Sequence, residues 1–355
     1  MARQRHQDGA ESADPSEAPV TSPTHEEGEL RAEASLRPLT FDEYVGQDDL
    51  KRPLLTMVQA AQQLGTALDH LLFYGPPGLG KTTLAHIVAH EMGVTVHQTS
   101  GPAIEHKGVL AGLLTNMADH DILFIDEIHR LPPPVEEALY PALEDFKLDV
   151  LIGDGPHAKA ITMPVPRFTL VGATTRTGML TSPLQDRFGF TWRLSYYTEE
   201  ELTTIIQRSA QRIGVKITVD GAAELGRRAR GTPRVANRWL RRARDYAQVD
   251  GSAQIDRRIA NMTLTDLQVD SAGLNPLDRD YLRCLLVRFG GRPVGIEALG
   301  AALSEDRQTL EFMVEPYLVQ HGFVDRTARG RVATLRASEH LGLPPIDPEV
   351  QKKLF

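Results

Sequence analysis

The chain has little cysteine and no long apolar run. Its 355 residues include one cysteine, Cys284, so no intrachain disulfide can form and no cysteine pair can bind zinc. This composition is typical of proteins in a reducing compartment. The chain contains no run of eighteen apolar residues, and the N-terminus up to Glu33 has no apolar core of signal-peptide length. We therefore expect an intracellular protein that is neither secreted nor inserted in a membrane.

The length and the charge distribution suggest several domains. A chain of 355 residues with 41% apolar and 24% charged residues can bury two or three cores. The net charge of −8 argues against a nucleic-acid partner for the chain as a whole, but the charge is uneven. Residues 1–33 carry −5 and residues 34–198 carry −6, whereas residues 199–269 carry +4. The acidic residues are therefore concentrated in the first 198 residues.

Composition and apolar pattern divide the chain into five parts. Residues 1–33 contain few large aliphatic side chains, which predicts a disordered acidic tail. Within residues 34–198, short apolar runs alternate with helical stretches, and this predicts a mainly parallel β-sheet with crossover helices. The expected strands are LLFY (71–74), VTVH (94–97), ILFI (122–125) and FTLVGA (168–173).

The pattern predicts a helical domain in residues 199–269 and a winged helix in residues 270–340. Directly before residues 199–269, Thr198 forms a capping box with Glu201 that begins the first helix of this part. Thr232 followed by Pro233 begins a second helix. In residues 270–340, helices begin near Asn275 and Glu305, and a hairpin follows Gly322. Three helices and a hairpin are the winged-helix order. Pro316 should kink or shorten the third helix, and residues 341–355 form a tail.

The sequence GPPGLGKT (75–82) matches the phosphate-binding pattern G-x-x-x-x-G-K-[ST]. The expected strand before it and the expected helix after it supply the context that this pattern requires. Gly78 and Gly80 allow the backbone N–H groups to surround phosphate. Lys81 supplies a charge for the β- and γ-phosphates, and Thr82 supplies a hydroxyl for Mg²⁺. We therefore predict ATP binding with Mg²⁺, with Thr83 beside the same phosphates.

Two carboxylates end the strand ILFIDE (122–127). We assign Asp126 to Mg²⁺ and Glu127 to the attacking water, because triphosphate hydrolysis needs positioned charge. On the next strand, Thr175, or else Thr174, could contact the γ-phosphate or the water. Taken alone, both signals also fit an acidic turn and ordinary strand chemistry.

Basic residues and one hairpin indicate further contacts. Arg187 and Arg234 follow loops, and Arg234 at a helix start favours an anionic partner. Residues 146–166 predict a hairpin with apolar arms, which leaves open whether it docks on a partner or on its own sheet. Arg307, Arg326, Arg329 and Arg331 surround the predicted wing, where they could bind DNA phosphates or lie in solvent.

Seven strings in order resemble the AAA+ ATPases, and within them the bacterial motors that migrate Holliday junctions. The resemblance covers almost everything after Leu36, and its strings include LRPLTFDEYVGQ (36–47), LFIDEIHRL (123–131), GATTRTGMLTSPLQDRFG (172–189) and VEPYLVQHGFVDRTARGR (314–331). It implies an α/β fold, an AAA+ P-loop ATPase core with a parallel sheet, followed by a helical lid domain and a C-terminal winged-helix domain. It also implies an ATP hydrolase that forms a homohexamer around duplex DNA, in recombination, DNA repair and the SOS response.

The resemblance also assigns residues and partners. It makes Arg187 an arginine finger that reaches the neighbouring subunit's nucleotide, Arg234 the second sensor and Thr175 the first. It places Leu36, Arg37 and Tyr197 around adenine and ribose, and Glu144, Asp145 and Phe146 near nucleotide. The implied partners are four-way-junction DNA, the junction-binding protein RuvA on hairpin 146–166, and RuvC for resolution, in the bacterial cytoplasm at the nucleoid.

The chain departs from the family pattern in two places, and two other functions are alternatives to a junction motor. Many relatives carry a second arginine where this chain has Gln185, and the acidic tail is longer than usual. A non-translocating loader or remodeller of another protein ring would show the same phosphate chemistry. A winged-helix transcription regulator would need a third helix that reads bases, and Glu311 and Glu315 on that helix are poorly suited to a DNA groove.

Overall fold

The computed structural model describes residues 36–152 and 159–344 of the chain, without the side chains of residues 150–152, 159 and 160. The predicted tail 1–33 lies outside this part, as do residues 345–355 of the C-terminal tail. Residues Met1–Arg37, of which Leu36 and Arg37 are described, form a unit separate from Pro38–Phe355.

A five-stranded parallel sheet carries the first domain. Its strands are β1 (Leu71–Tyr74), β2 (Val96–Ser100), β3 (Ile122–Asp126), β6 (Thr169–Thr174) and β7 (Phe190–Arg193), in the spatial order β2-β3-β6-β1-β7. The parallel strands predicted from the four apolar runs are confirmed, with β2 beginning two residues later than expected. The fifth strand, β7, has mixed polarity and was not predicted.

Helices cover both faces of the sheet, because successive strand residues point to opposite sides. The helices are α1 (Asp48–Leu64), α2 (Lys81–Met92), α3 (Lys107–Thr115), α4 (Pro133–Glu144) and the short α5 (Ser182–Gln185). Leu71 and Phe73 pack in one core with α1 and α2, and Leu72 packs in the other with α3 and α4. The strand ends are thereby held in fixed positions.

A β-hairpin follows α4. Its arms β4 (Lys147–Ile152) and β5 (Lys159–Pro164) pair antiparallel, with Leu148 opposite Met163. Leu148 is buried, whereas Ile161 is 43% exposed. The hairpin is thus anchored at its base in the described part, and an apolar side chain of the arm faces solvent.

Four helices form the second domain: α6 (Glu199–Arg212), α7 (Val219–Arg227), α8 (Pro233–Asp250) and α9 (Arg257–Asp266). The capping box of Thr198 and Glu201 is confirmed. Thr232 occupies the N-cap position of α8 as predicted, but its hydroxyl donates to the carbonyl of Ala229 and does not cap the helix. The apolar faces of these helices join the core that lies under α1 and α2.

The C-terminal domain has the predicted winged-helix order. It contains α10 (Pro276–Arg283), extended by a π-helical turn Cys284–Arg288, then α11 (Ile296–Leu303), α12 (Arg307–Thr309), a second π-helical turn Leu310–Val314 and α13 (Glu315–Gln320). The wing is formed by β8 (Val324–Thr327) and β9 (Gly330–Ala333), followed by α14 (Leu335–His340). Outside these two strands, Val294 forms an isolated antiparallel bridge with Arg331 of β9.

The third helix of this domain differs from the prediction in its interior. It begins at Arg307 and does not end at Pro316, whose ring is accommodated in the first turn of α13. The irregularity lies just before the proline, in the turn Leu310–Val314, which we call the coupling turn. Of the helices in the described part, none has the length and apolar character to cross a membrane.

Candidate nucleotide site and winged-helix surface

The sheet topology brings the predicted phosphate loop, acidic pair and threonines together. β6 lies between β3 and β1, so Asp126, Thr174 and Tyr74 end adjacent strands. The N–H of Gly75 donates to the carbonyl of Thr174 at 3.2 Å, which joins the start of the loop to the neighbouring strand end. These are the positions at which an open parallel sheet binds ligands.

The glycines of the loop occupy backbone conformations and spaces that exclude a side chain. Gly78 has φ +80° and Gly80 has φ +99°. A Cβ at Gly78 would lie 3.1 Å from the Cβ of Arg234, and one at Gly80 would lie 3.2 Å from the hydroxyl of Tyr44. The loop is therefore enclosed by its own domain and by α8.

Lys81 is buried at the start of α2, and its ammonium group donates to the carbonyls of Gly75 and Pro76, each at 2.8 Å. Burial lowers the pKa of Lys81 to about 8, with Asp126 opposing the shift and Arg234 adding to it. The lysine therefore makes two hydrogen bonds within the loop that phosphate oxygens can replace. Thr82 and Thr83 follow it in the first turn of α2.

Glu127 and Asp126 are held in a strained turn. Glu127 has φ +48°, an unusual conformation for a residue with a side chain, and its N–H donates to Oδ1 of Asp126 at 2.8 Å. Its carbonyl would contact a Cβ at Gly101 at 2.5 Å, so Gly101 permits this close approach. The carboxylate of Glu127 pairs with Arg130 at 2.9 Å on the surface.

The residues present suit a magnesium ion shared with phosphate. The described residues include no group of three or more His, Cys, Asp or Glu side chains able to hold a metal. Magnesium in phosphate sites commonly has one or two protein ligands and takes its other ligands from phosphate and water. A hydroxyl and one carboxylate, as in Thr82 and Asp126, fit that pattern.

The two candidate threonines have different environments. Thr174 is buried, and its hydroxyl contacts Nδ1 of His129 at 2.9 Å and accepts the N–H of Arg176 at 2.9 Å. Thr175 is exposed at the end of the same strand. Because the hydroxyl of Thr174 is already used inside the protein, the geometry favours Thr175 as the residue that meets the ligand.

Tyr197, which precedes α6, and Arg234 of α8 contact the phosphate loop. The hydroxyl of Tyr197 donates to the carbonyl of Leu79 at 3.1 Å and lies within hydrogen-bond distance, 2.9 Å, of the hydroxyl of Tyr44. Burial raises the pKa of Tyr197 to about 12. The N–H of Arg234 donates to the carbonyl of Gly78 at 3.3 Å. No motif in the sequence marks Tyr44, because its contact with Tyr197 depends on the packing of segments that are distant in the chain.

Arg187 belongs to a different cluster, on the α4 side of the domain. Its guanidinium pairs with Glu144 at 3.0 Å and lies 4.3 Å from the ring centre of Tyr140. Its Nε is buried without a hydrogen-bond partner in the described part of the chain. Asp145 is exposed beside Glu144, and Phe146 packs edge-on against Phe168. The structure thus pairs Arg187 with the predicted nucleotide contact Glu144, which is followed in the chain by Asp145.

The predicted DNA-binding arginines surround two carboxylates of the third winged-domain helix. Arg331 donates to Glu315 and to Glu311, each at 2.9 Å, with 16% of its side chain exposed. Arg326 pairs with Glu315, which is fully buried, and Arg307 pairs with Glu311 at 3.0 Å. Tyr281 also donates to Glu315. Arg326 and Arg307 are about half exposed, so they are better placed for a ligand than Arg331.

Leu36 and Arg37 lie in the unit separate from this site, and their predicted contacts with adenine and ribose stay predictions.

Three family models match consecutive parts of the chain. They are described as the Holliday junction DNA helicase RuvB P-loop domain, over residues 36–194, the RuvB AAA lid domain, over 197–270, and the RuvB C-terminal winged helix domain, over 271–342. Together these matches cover most of the chain.

Solved structures with the same fold include one described as the Thermotoga maritima RuvB Holliday junction branch migration motor. It is 44% identical to this chain, with a TM-score of 0.80, and the match covers 87% of this chain and 99% of that one. A lysine-to-arginine mutant and an arginine-to-alanine mutant of Thermotoga maritima RuvB are also 44% identical, each with a TM-score of 0.79 and coverage of 87% and 98%. The match therefore includes all three domains.

Proposed function

Because the chain belongs to the RuvB family of AAA+ Holliday-junction motors, we propose that it forms a hexameric, Mg²⁺-dependent ring that pulls duplex DNA through a junction held by RuvA. The protein is an ATP hydrolase that drives branch migration. The observation that carries the proposal is the meeting of the phosphate loop, Asp126–Glu127 and Thr175 at adjacent strand ends, with Arg234 of the second domain against the loop.

In the proposed reaction, the N–H groups of the loop and Lys81 bind the phosphates of ATP. Thr82 and Asp126 would hold Mg²⁺, which neutralises charge on the phosphates when bound. Glu127 leaves Arg130 and orients a water molecule in line with the γ-phosphate. Thr175 contacts the same phosphate, and Tyr197 and Arg234 report its presence to the helical domain.

Completion of the site by a second subunit is part of the proposal. Arg187 pairs with Glu144, and among the described residues its Nε has no hydrogen-bond partner. An arginine supplied from a neighbouring subunit stabilises the charge that develops on the transferred phosphate. A ring in which Arg187 serves the next subunit's ATP makes hydrolysis depend on assembly.

The proposed partners are RuvA, RuvC and DNA. The hairpin 146–166 is our candidate for the RuvA contact, supported by the exposed Ile161 on β5 of a hairpin whose other arm is anchored through Leu148. The winged domain binds the DNA backbone through Arg307, Arg326 and Arg331, because a motor that moves along duplex contacts phosphates rather than base edges. RuvC would join for resolution, in the bacterial cytoplasm during recombinational repair and the SOS response.

The loader alternative shares the phosphate chemistry but does not require a DNA-binding wing. The match of the winged domain to the RuvB model supports the motor over the loader. A base-reading regulator is also disfavoured, because Glu311 and Glu315 are engaged with the wing arginines on the helix that would enter the groove.

The test is ATP-dependent dissociation of a synthetic four-way junction in the presence of RuvA. We expect the wild type to convert the junction to duplex arms, and Lys81→Ala and Arg187→Ala to lose this activity. Arg193→Ala, an exposed arginine on β7, is the matched control and should retain it. Mixing the two inactive variants should restore part of the hydrolysis, because some interfaces then combine an intact Lys81 with an intact Arg187.

The results of these assays distinguish the motor from the loader and test the shared active site. Intact junctions with continued ATP consumption would favour the loader. Failure of the mixture to regain hydrolysis would contradict a shared active site, since each subunit would then contain all of its own catalytic groups.

A further inference from the structure

The coupling turn Leu310–Val314 contacts both of the other domains. The guanidinium of Arg176, in the sheet domain, lies 3.6 Å from the ring centre of Phe312. The guanidinium of Arg230, in the helical domain, donates to the carbonyl of Met313 at 3.4 Å. Two consecutive residues of one turn therefore meet arginines of two different domains.

The Arg176 contact leads directly to the γ-phosphate side of the nucleotide site. Arg176 follows Thr175, the predicted first sensor, and its N–H donates to the hydroxyl of Thr174 at 2.9 Å. A displacement of Phe312 would thus act on the segment that positions Thr175, without passing through the phosphate loop.

The Arg230 contact leads to other residues of the same site, Tyr197 and Arg234. Arg230 pairs with the fully buried Asp278 at 2.9 Å and lies 4.6 Å from the ring centre of Tyr317, both in the winged domain. Its neighbour Gly231 accepts the N–H of Tyr197 at 2.9 Å, and Arg234 begins the helix that touches Gly78. Movement of Arg230 would therefore shift the residues that report on nucleotide through Tyr197 and Arg234.

The coupling turn is also tied to the wing. Glu311, its second residue, pairs with Arg307 at 3.0 Å and with Arg331 at 2.9 Å, and Arg326 contacts the carbonyl of Glu311 at 3.4 Å. Phosphate groups compete with carboxylates for guanidinium groups, because both are anions that bind the same N–H donors. DNA bound at the wing would loosen the hold of these arginines on Glu311.

We propose that the coupling turn transmits DNA binding at the wing to the nucleotide site, with Phe312 and Arg230 as its positioning residues. A π-helical turn holds one residue more than an α-helical turn, and such turns occur often at functional sites. The turn contacts two arginines, Arg176 and Arg230, and each belongs to a segment that carries one of the predicted sensors, Thr175 or Arg234. This inference rests on the proposed function, since it requires that duplex DNA bind the winged domain.

The experiment measures the rate of ATP hydrolysis at saturating ATP with and without random-sequence duplex. Phe312→Leu keeps an apolar side chain but removes the aromatic face that Arg176 contacts. We expect the stimulation by DNA to fall by about two- to fivefold, the range of a cation–π contact near a surface, while basal hydrolysis is unchanged. Phe312→Tyr keeps an aromatic ring and should keep the stimulation.

Met313→Ala is the matched control on the same turn. The side chain of Met313 is 69% exposed, and its contact with Arg230 is made by the backbone carbonyl, so this change should leave the stimulation as in the wild type. Arg230→Lys keeps a positive charge for Asp278 but loses the planar fork, and it should lower the stimulation as Phe312→Leu does. Thermal unfolding of each variant shows whether the fold is intact.

A reciprocal measurement separates coupling from a structural role. Coupling between two sites is mutual, so a non-hydrolysable ATP analogue should change the affinity for duplex in the wild type and change it less in Phe312→Leu. Full stimulation in Phe312→Leu would overturn the inference, as would an equal loss of basal and stimulated rates. A wild type that duplex does not stimulate would overturn the proposed function itself, and the inference with it.

Discussion

At the residue scale, Lys81 has an ionisation that should appear in nucleotide binding. Its pKa of about 8 is low because the ammonium group is buried, and phosphate charge should raise it on binding. Below pH 8 the lysine is already charged, and above pH 8 binding must take up a proton. We expect the ATP affinity to fall above pH 8, by up to about tenfold per pH unit.

The check is titration calorimetry between pH 7 and pH 9.5 in buffers with different ionisation enthalpies. The proton uptake per ATP should increase above pH 8. Binding whose affinity and proton uptake stay constant over this range would show that the lysine remains fully charged in the free protein.

Thr174 and Thr175 form a second residue-scale test, because adjacent threonines have opposite environments. Thr174→Val removes a buried hydroxyl that His129 and Arg176 contact, which should cost about 1–3 kcal/mol of unfolding free energy. Thr175→Val should leave stability within about 0.5 kcal/mol and lower kcat by about a hundredfold, as loss of a polar contact to a reacting group does. Thermal unfolding and steady-state kinetics measure the two effects. The reverse pattern would assign the sensor to Thr174.

Much of the nucleotide site could be predicted from the sequence, since it depends on contiguous residues. The phosphate loop needs glycines and a lysine at fixed spacing, and Asp126 and Glu127 follow an apolar strand. Tyr44 and Gly101 could not be predicted, because their importance arises where segments distant in the chain pack closely. The pairing of Arg187 with Glu144 also depends on tertiary structure.

At the element scale, the wing is held to the third helix by a buried charge network. Arg331→Met leaves the fully buried Glu315 with less positive charge, and breaking such a pair costs about 3–5 kcal/mol. Arg326 still pairs with Glu315, so we expect a loss near the lower end of that range. Arg307→Met, which breaks only exposed pairs, should cost about 0–1 kcal/mol.

Chemical denaturation of the three proteins tests this assignment, followed by DNA binding under conditions in which each is folded. If Arg331→Met is as stable as Arg307→Met, the network contributes little and Arg331 is available to DNA. If it is much less stable, weak DNA binding by this variant is not evidence of a phosphate contact.

The helical elements show which local rules were sufficient. The capping boxes at Thr198 and Asn275 mark the beginnings of α6 and α10, because the capping side chains and the N3 carboxylates bond to each other's backbone. Pro316 marked a real irregularity, but the structure places it as a π-helical turn before the proline rather than an end of the helix. The strand β7 carries no apolar run, since it lies at the edge of the sheet.

At the scale of the whole molecule, DNA binding must overcome a net charge of −8. Affinity should therefore fall steeply with salt, with log K changing by about −0.9 per log unit of salt for each phosphate contacted. Arg326→Ala should reduce the slope by about one for each subunit that engages DNA. Arg283→Ala, an exposed arginine paired with Asp280 on α10, is the control and should leave the slope unchanged.

Fluorescence anisotropy of labelled duplex gives these slopes when it is measured at salt concentrations from about 50 to about 200 mM. Over this range, the affinity of a protein that contacts several phosphates falls strongly with salt. An unchanged slope for Arg326→Ala would remove this arginine from the DNA interface. An equal change for Arg283→Ala would mean that the effect reports overall charge and not a contact.

The ion pair between Arg230 and Asp278 affects how the protein can be recombined with its relatives. Asp278 caps its own helix through Asn275 and also neutralises an arginine from the preceding domain. A chimaera joined at the boundary near residue 270 would pair this buried carboxylate with a foreign loop. The part that can be exchanged with a relative is therefore the winged domain together with the segment around Arg230. The three domains are consecutive in the chain, but they are not three independently interchangeable modules.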